Sequence, residues 1–174
     1  MTGAPIVLVM GVSGSGKTTI GALLAGRLGW PYAEADDFHP PENVKKMAAG
    51  HPLTDEDRWP WLSAIGRWID ERRAAGESAV VTCSALKRSY RDFLRRDRPE
   101  VYVVYLHGSK ELIAERMITR QGHFFKAELL DSQFADLEPP DPDEGILTVD
   151  VTADPPEIVE EILISLARAW KTEE

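Results

Sequence analysis

The stretch Ile6-Val7-Leu8-Val9-Met10-Gly11-Val12-Ser13-Gly14-Ser15-Gly16-Lys17-Thr18 decides how this chain folds. Its first five residues are apolar without the polar alternation of a half-exposed strand, so they read as a β-strand covered on both faces. Gly-x4-Gly-Lys-Thr follows at once, and over residues 19–28 the apolar spacing turns helical. Strand, loop and helix in that order are the context in which the pattern reads as a phosphate-binding P-loop and not as a glycine-rich turn. Glycines let such a loop point successive backbone N–H groups at phosphate oxygens, and the helix behind it adds its positive N-terminal end. On this reading Gly11, Ser13, Gly14, Ser15, Gly16 and Thr19 line or flank an ATP site. Lys17 reaches the β- and γ-phosphates, and the Thr18 hydroxyl ligates Mg²⁺.

Working outward, the same alternation repeats. Apolar runs at 31–33, 79–83, 101–106 and 146–151 complete a set of five expected strands, and helical patterns occupy 61–73, 110–119 and 157–170. Asp154 before Pro155-Pro156-Glu157 supplies an N-cap, an early helical proline and a first-turn acid for the last of these. Strands alternating with helices predict an α/β fold: a three-layer P-loop NTPase architecture around a five-stranded parallel sheet. With 174 residues and no linker, residues 1–174 read as a single domain. Two segments break the alternation. Residues 36–60 hold four prolines, and 120–142 hold three with several aromatics. Insertions at the ends of parallel strands are where ligands are held and covered, so the first is expected to be a substrate-binding insertion and the second a lid.

A formal charge of −9 gives no overall attraction to nucleic acid or anionic lipid, so neither is expected as a partner and any phosphate site must be local. The single cysteine, Cys83, excludes an internal disulfide and any Cys-x-x-Cys metal or redox pair. The N-terminal apolar run is too short for a signal peptide or a membrane span, which predicts a cytoplasmic protein.

The P-loop alone leaves the fate of the phosphate open, because GTPases, ATPases and kinases share it. A guanine-reading Asn-Lys-x-Asp run is missing, and neither the third nor the fourth expected strand ends in a Walker B aspartate. Instead the second strand delivers Glu34-Ala35-Asp36-Asp37 to the crevice. Transfer to a hydroxyl needs a carboxylate to accept its proton and an acid to anchor Mg²⁺ through water. By strand alternation Glu34 and Asp36 face the same way, one strand over from the P-loop. Asp36 is then the expected base and Glu34 the magnesium group, with Asp37 in reserve and a solvated acidic turn as the competing reading.

From here the residues carry a resemblance. Asp36-Asp37-Phe38-His39-Pro40, Asn43, Lys45-Lys46-Met47, Asp57-Arg58 and Pro60-Trp61-Leu62 are similar to the gluconate kinase family. So are Cys83-Ser84-Ala85-Leu86-Lys87-Arg88, Gly122-His123-Phe124-Phe125 and Ser132-Gln133-Phe134; the resemblance runs from residue 6 to about residue 151. Ala35 departs from it, since many members have glycine there. The resemblance implies phosphorylation of D-gluconate at its 6-hydroxyl by a homodimer related to shikimate kinase and nucleoside monophosphate kinases. A substrate carboxylate calls for fixed cations, and Arg58, Lys45 and Lys87 are the candidates, although Lys45 also reads as the solvated face of a short helix. By the same resemblance Arg116 packs against adenine and Arg120 neutralises the transferring phosphoryl group; paired surface arginines are the alternative. His39 and His123 are expected at the substrate, each with a packing role as alternative. The basic run 87–98 reads as a solvated helix.

Overall fold

Alternate residues of one strand feed two separate cores. In the computed structural model, which describes residues 3–171, Ile6, Leu8 and Met10 of β1 (Ile6–Met10) join one apolar cluster and Val7 and Val9 the other. The strand is buried along its whole length, as its unbroken apolar run requires. Around it lie β2 (Tyr32–Glu34), β3 (Ala79–Thr82), β4 (Val101–His107) and β5 (Leu147–Asp150), all parallel, in the order β2-β3-β1-β4-β5. Ile6 sits opposite both Ala79 and Val101, which fixes the register of the three central strands.

Helices cover both faces. The cluster holding Val7 and Val9 is closed by α1 (Lys17–Leu28) and, beyond β5, by a C-terminal helix (Pro155–Lys171) through Ile158, Val159 and Ile162. Between these in the chain come α2 (Pro41–Ala48), α3 (Asp55–Ala74), α4 (Arg88–Arg95), α5 (Lys110–Gln121) and α6 (Ala127–Asp136), which makes the C-terminal helix α7. Trp61, Leu62, Ile65 and Ile69 of α3 and Tyr90 and Leu94 of α4 close the other face. The three-layer α/β architecture and the five parallel strands are therefore as expected.

Three expectations change. First, β3 lies between β1 and β2, so Glu34 and its neighbours reach the P-loop across the end of β3 and not from the adjacent strand. Second, α3 begins at Asp55, six residues ahead of the expected 61. Thr54 and Asp57 form a reciprocal capping box that nucleates the turn, and Pro60 is carried inside the helix. Third, both segments that broke the alternation contain helices: α2, the short helix that was the alternative reading of Lys45, and α6, which the prolines and aromatics around it concealed.

The run 87–98 is not a solvated helix either. Arg91 is 1% exposed and forms a fork with Glu144, at 2.8 Å to one oxygen and 3.1 Å to the other. Arg95 donates to the Glu144 carbonyl at 2.8 Å, and Arg98 grips Asp70 at 2.8 and 2.9 Å. The face shared by Arg91 and Arg95 thus turns inward onto the turn at Pro142–Glu144.

Candidate active site

Where β1 ends, the chain turns through positive φ at Gly11, Gly14 and Gly16 (154°, 80° and 101°) before α1 begins at Lys17. Only two of these glycines are also confined by neighbours. A Cβ on Gly11 would lie 2.6 Å from Ser15 Oγ, and one on Gly14 would lie 2.6 Å from Met117 of α5. The Lys17 ammonium curls back over the loop and donates to the carbonyls of Gly11 (2.9 Å) and Val12 (3.0 Å). Desolvation in the loop lowers its pKa, while Asp36, Cys83 and Glu34, in that order, pull the other way.

This loop fits a nucleotide triphosphate and its Mg²⁺. Ser15 Oγ is a buried hydroxyl without a hydrogen-bond partner among the described residues, and a desolvated ammonium stands beside it. No group of three His, Cys, Asp or Glu side chains among the described residues is arranged to hold a metal. Magnesium, which keeps several waters and takes ligands from substrate phosphates, needs no such cage.

The acids arrive from β2 and the 3-10 turn that follows it, Ala35–Phe38. Because the strand ends at Glu34, strand alternation does not relate Glu34 to Asp36. The turn does the work, and Lys17 feels the charge of both. Asp36 is also felt by His39 and by Cys83. Ala35 has an ordinary backbone conformation, buried in the turn, with its carbonyl accepting from Trp61 Nε1 at 2.6 Å; no glycine is required there. Tyr32, a residue the sequence reading missed, links Glu34 to the start of α1. Its hydroxyl is 2.9 Å from Glu34 Oε1 and 3.5 Å from the Thr18 carbonyl, and burial together with Glu34 pushes its pKa up to about 12.

The expected substrate side chains divide. His39 stacks flat on Trp61 (4.4 Å, 11°) with Nδ1 3.2 Å from the Asn43 amide, and Asn43 in turn donates to the Asp57 carbonyl at 2.8 Å. Burial lowers the His39 pKa; Asp36 opposes this and Arg58 reinforces it. Arg58 and Lys87 belong to one network organised by Tyr90, to which the sequence reading gave no site role. Arg58 donates to the Tyr90 hydroxyl (2.9 Å) and to Asp136 (3.3 Å), Lys87 to Asp55 (2.9 Å), and Tyr90 to the same Asp55 carboxylate. Lys45 is exposed on α2, and it is the adjacent Lys46 that is held, on Asp57 at 2.6 Å.

Arg116 and Arg120 lie one turn apart on α5 and, with Leu112, Glu115 and Thr119, line a cavity of about 460 Å³. The Arg116 charge reaches Asp150 at the end of β5. His123 is exposed, tilted against Phe124 (4.1 Å), and Phe124 is 72% exposed. Cys83 is buried, and burial pushes its thiol pKa up to about 12, as befits a packing residue.

A family model described as shikimate kinase matches residues 13–134. The gluconokinase of Gluconobacter oxydans is 49% identical over 157 residues, covering 90% of this chain and 88% of its own. The thermosensitive gluconokinase of Escherichia coli is 43% identical over 162 residues, 92% of this chain and 86% of its own. The crystal structure of a gluconokinase from Sinorhizobium meliloti superposes with a TM-score of 0.87 at 49% identity, over 99% of this chain and 97% of that one.

Proposed function

The chain belongs to the gluconokinase family of P-loop kinases, and we infer from that premise that it moves the γ-phosphoryl group of ATP onto the 6-hydroxyl of D-gluconate, releasing ADP and 6-phosphogluconate. The observation that carries the reading is the meeting of three charges. Tyr32 ties Glu34 (2.9 Å) to the Thr18 carbonyl (3.5 Å) at the mouth of the P-loop, and Lys17 lies within the field of both Asp36 and Glu34, so an acceptor base and a donor grip share one crevice.

In this reaction Asp36 takes the proton of the attacking hydroxyl as its oxygen bonds to phosphorus and the bond to the β-phosphate bridge breaks. Lys17 holds the β- and γ-phosphate oxygens, and loop N–H groups from Gly14 and Gly16 onward, at the start of α1, hold the rest of the triphosphate. Arg120 offsets charge on the moving group and Arg116 borders the base. Thr18 directly and Glu34 through water would hold Mg²⁺, which when bound neutralises phosphate charge. Tyr32 orients Glu34 for that task.

His39, Asp36, Arg58 and Lys87 form the acceptor side, with the two cations facing the substrate carboxylate. Lys45 and His123 sit at its exposed margin and engage only when the exposed part of the 120–142 segment around His123 closes over the crevice, excluding water from the phosphoryl group. The protein acts in the cytoplasm as a homodimer, and light scattering in solution checks the dimer. Among the described residues no helix is long and apolar enough to cross a membrane.

The test is ADP release measured in parallel with gluconate, shikimate and AMP, with phosphorus NMR of the product. Turnover with gluconate and a primary phosphate ester is the expected result. Turnover with shikimate or AMP in its place removes the assignment.

A further inference from the structure

One lid-side residue reaches the donor loop in a way that the roles above leave unused. Gln133 of α6 lies 120 positions from Ser13, yet its Oε1 accepts the Ser13 N–H at 2.6 Å. That N–H belongs to the same peptide unit as the Val12 carbonyl, which accepts from the Lys17 ammonium at 3.0 Å. The Val12–Ser13 peptide is therefore held at both ends, by Lys17 and the Ser15 N–H (3.2 Å) on its oxygen and by Gln133 on its hydrogen. Trans geometry points the C=O and the N–H in opposite directions within the peptide plane, so these bonds together set its rotation. Turning the peptide over would set an N–H against an ammonium and leave the Gln133 oxygen without a donor.

The helix that carries Gln133 is fixed in place. Leu130 and Phe134 pack with Val12, Leu86 and Ile113 in a third apolar cluster, and just past the helix the Glu138 N–H donates to the Leu86 carbonyl at 2.8 Å. The Gln133 acceptor is thus presented by a packed element and not by a free side chain.

We propose that Gln133 is a positioning residue for phosphoryl transfer: by holding the Ser13 N–H it orients the Val12 carbonyl, and through it the Lys17 ammonium, toward the donor phosphates. The inference rests on the kinase reading of the site. Gln133 itself touches neither gluconate nor the moving group, so its loss is expected to lower kcat and leave KM for gluconate unchanged.

Two variants test it. Gln133→Met keeps length and shape without the oxygen, and Gln133→Glu keeps an acceptor. In the ligand-free protein, amide hydrogen exchange at Ser13 is expected to accelerate in Gln133→Met and to stay slow in Gln133→Glu. With MgATP and gluconate, Gln133→Met is expected to lose about tenfold in kcat, the scale of one neutral hydrogen bond. A Ser13 amide as protected in Gln133→Met as in wild type overturns the proposal, as does an unchanged kcat or an equal fall in kcat/KM that arises from KM alone. Should Gln133→Met fail to fold, fast Ser13 exchange in Gln133→Glu overturns it and slow exchange supports it. Wild-type protein without turnover on gluconate would defeat the functional reading instead, while the ligand-free exchange experiment still decides the role of Gln133.

Discussion

Asp36 stands exposed on a four-residue 3-10 turn, and its charge nevertheless reaches Lys17, His39 and Cys83. A group so placed acts by position. Asp36→Asn keeps the shape and removes the proton acceptor, so kcat is expected to fall by about 10²- to 10⁴-fold with ATP binding retained, as followed by coupled ADP release and nucleotide titration. His39 makes a different prediction, because burial against Trp61 holds its folded pKa below the unfolded value. Such a histidine contributes stability in full above its unfolded pKa, about 6.5, and the contribution is lost as pH falls through the lower folded value. Melting curves from about pH 7 to about pH 5 should therefore fall more steeply for wild type than for His39→Gln. At this scale the P-loop residues were legible, because their spacing is itself the chemistry, and so was the arrival of acids after the second strand, although the alternation that paired Glu34 with Asp36 did not hold. Tyr32 and Tyr90 were not, since a lone tyrosine carries no spacing signal and gains its role only from the carboxylates that folding brings beside it.

The elements around the site show where local signals mislead. Pro60 marks a helix start to sequence reasoning because proline lacks the N–H that an interior turn uses. In the fold the reciprocal bonds of Thr54 and Asp57 start the helix earlier, at 2.9 and 3.2 Å, and the packing of Trp61, Leu62, Ile65 and Ile69 tolerates the proline. Thr54→Ala is expected to cost about 1 kcal/mol in chemical denaturation. The cap also presents Asp55 and Arg58 to the Tyr90 network, so the same variant should raise KM for gluconate. Helix α2 was read only as an alternative for Lys45, and α6 escaped the sequence reading, for a related reason. Eight and ten residues long, with exposed apolar residues such as Val44, Met47 and Leu129, they lack the clean one-sided stripe that announces a core helix.

Across the whole molecule, the Arg91–Glu144 pair joins the loop after β3 to the turn before β5, although β1 and β4 stand between those strands. Both side chains are 1% exposed, and Arg91 also donates to the carbonyls of Ala85 and Leu86 at 3.0 and 3.1 Å, holding the loop in which Ala85 adopts a positive φ of 43°. Removing one member strands the other as a buried charge. Arg91→Met is expected to destabilise by about 3–5 kcal/mol, and the double variant Arg91→Met with Glu144→Met to recover a large part of it, measured by urea unfolding. The alternating charges of the 87–98 run suggested solvent, but a residue's sign does not say whether its partner lies in water or in another loop.

What the sequence by itself determined is the sheet, the donor loop and the acid after the second strand. Each rests on near neighbours: apolar runs that must be covered, glycines that must turn, a lysine and threonine fixed by the helix that starts beneath them. Tertiary structure alone decided that β3 separates the acid from the donor strand and that Arg58 and Lys87 share one tyrosine. It alone decided, too, that Arg91 is buried and that Gln133 holds the P-loop. Those arrangements depend on residues tens of positions apart finding hydrogen-bond partners away from water, where an unpaired polar group is costly, and no local pattern encodes such a meeting.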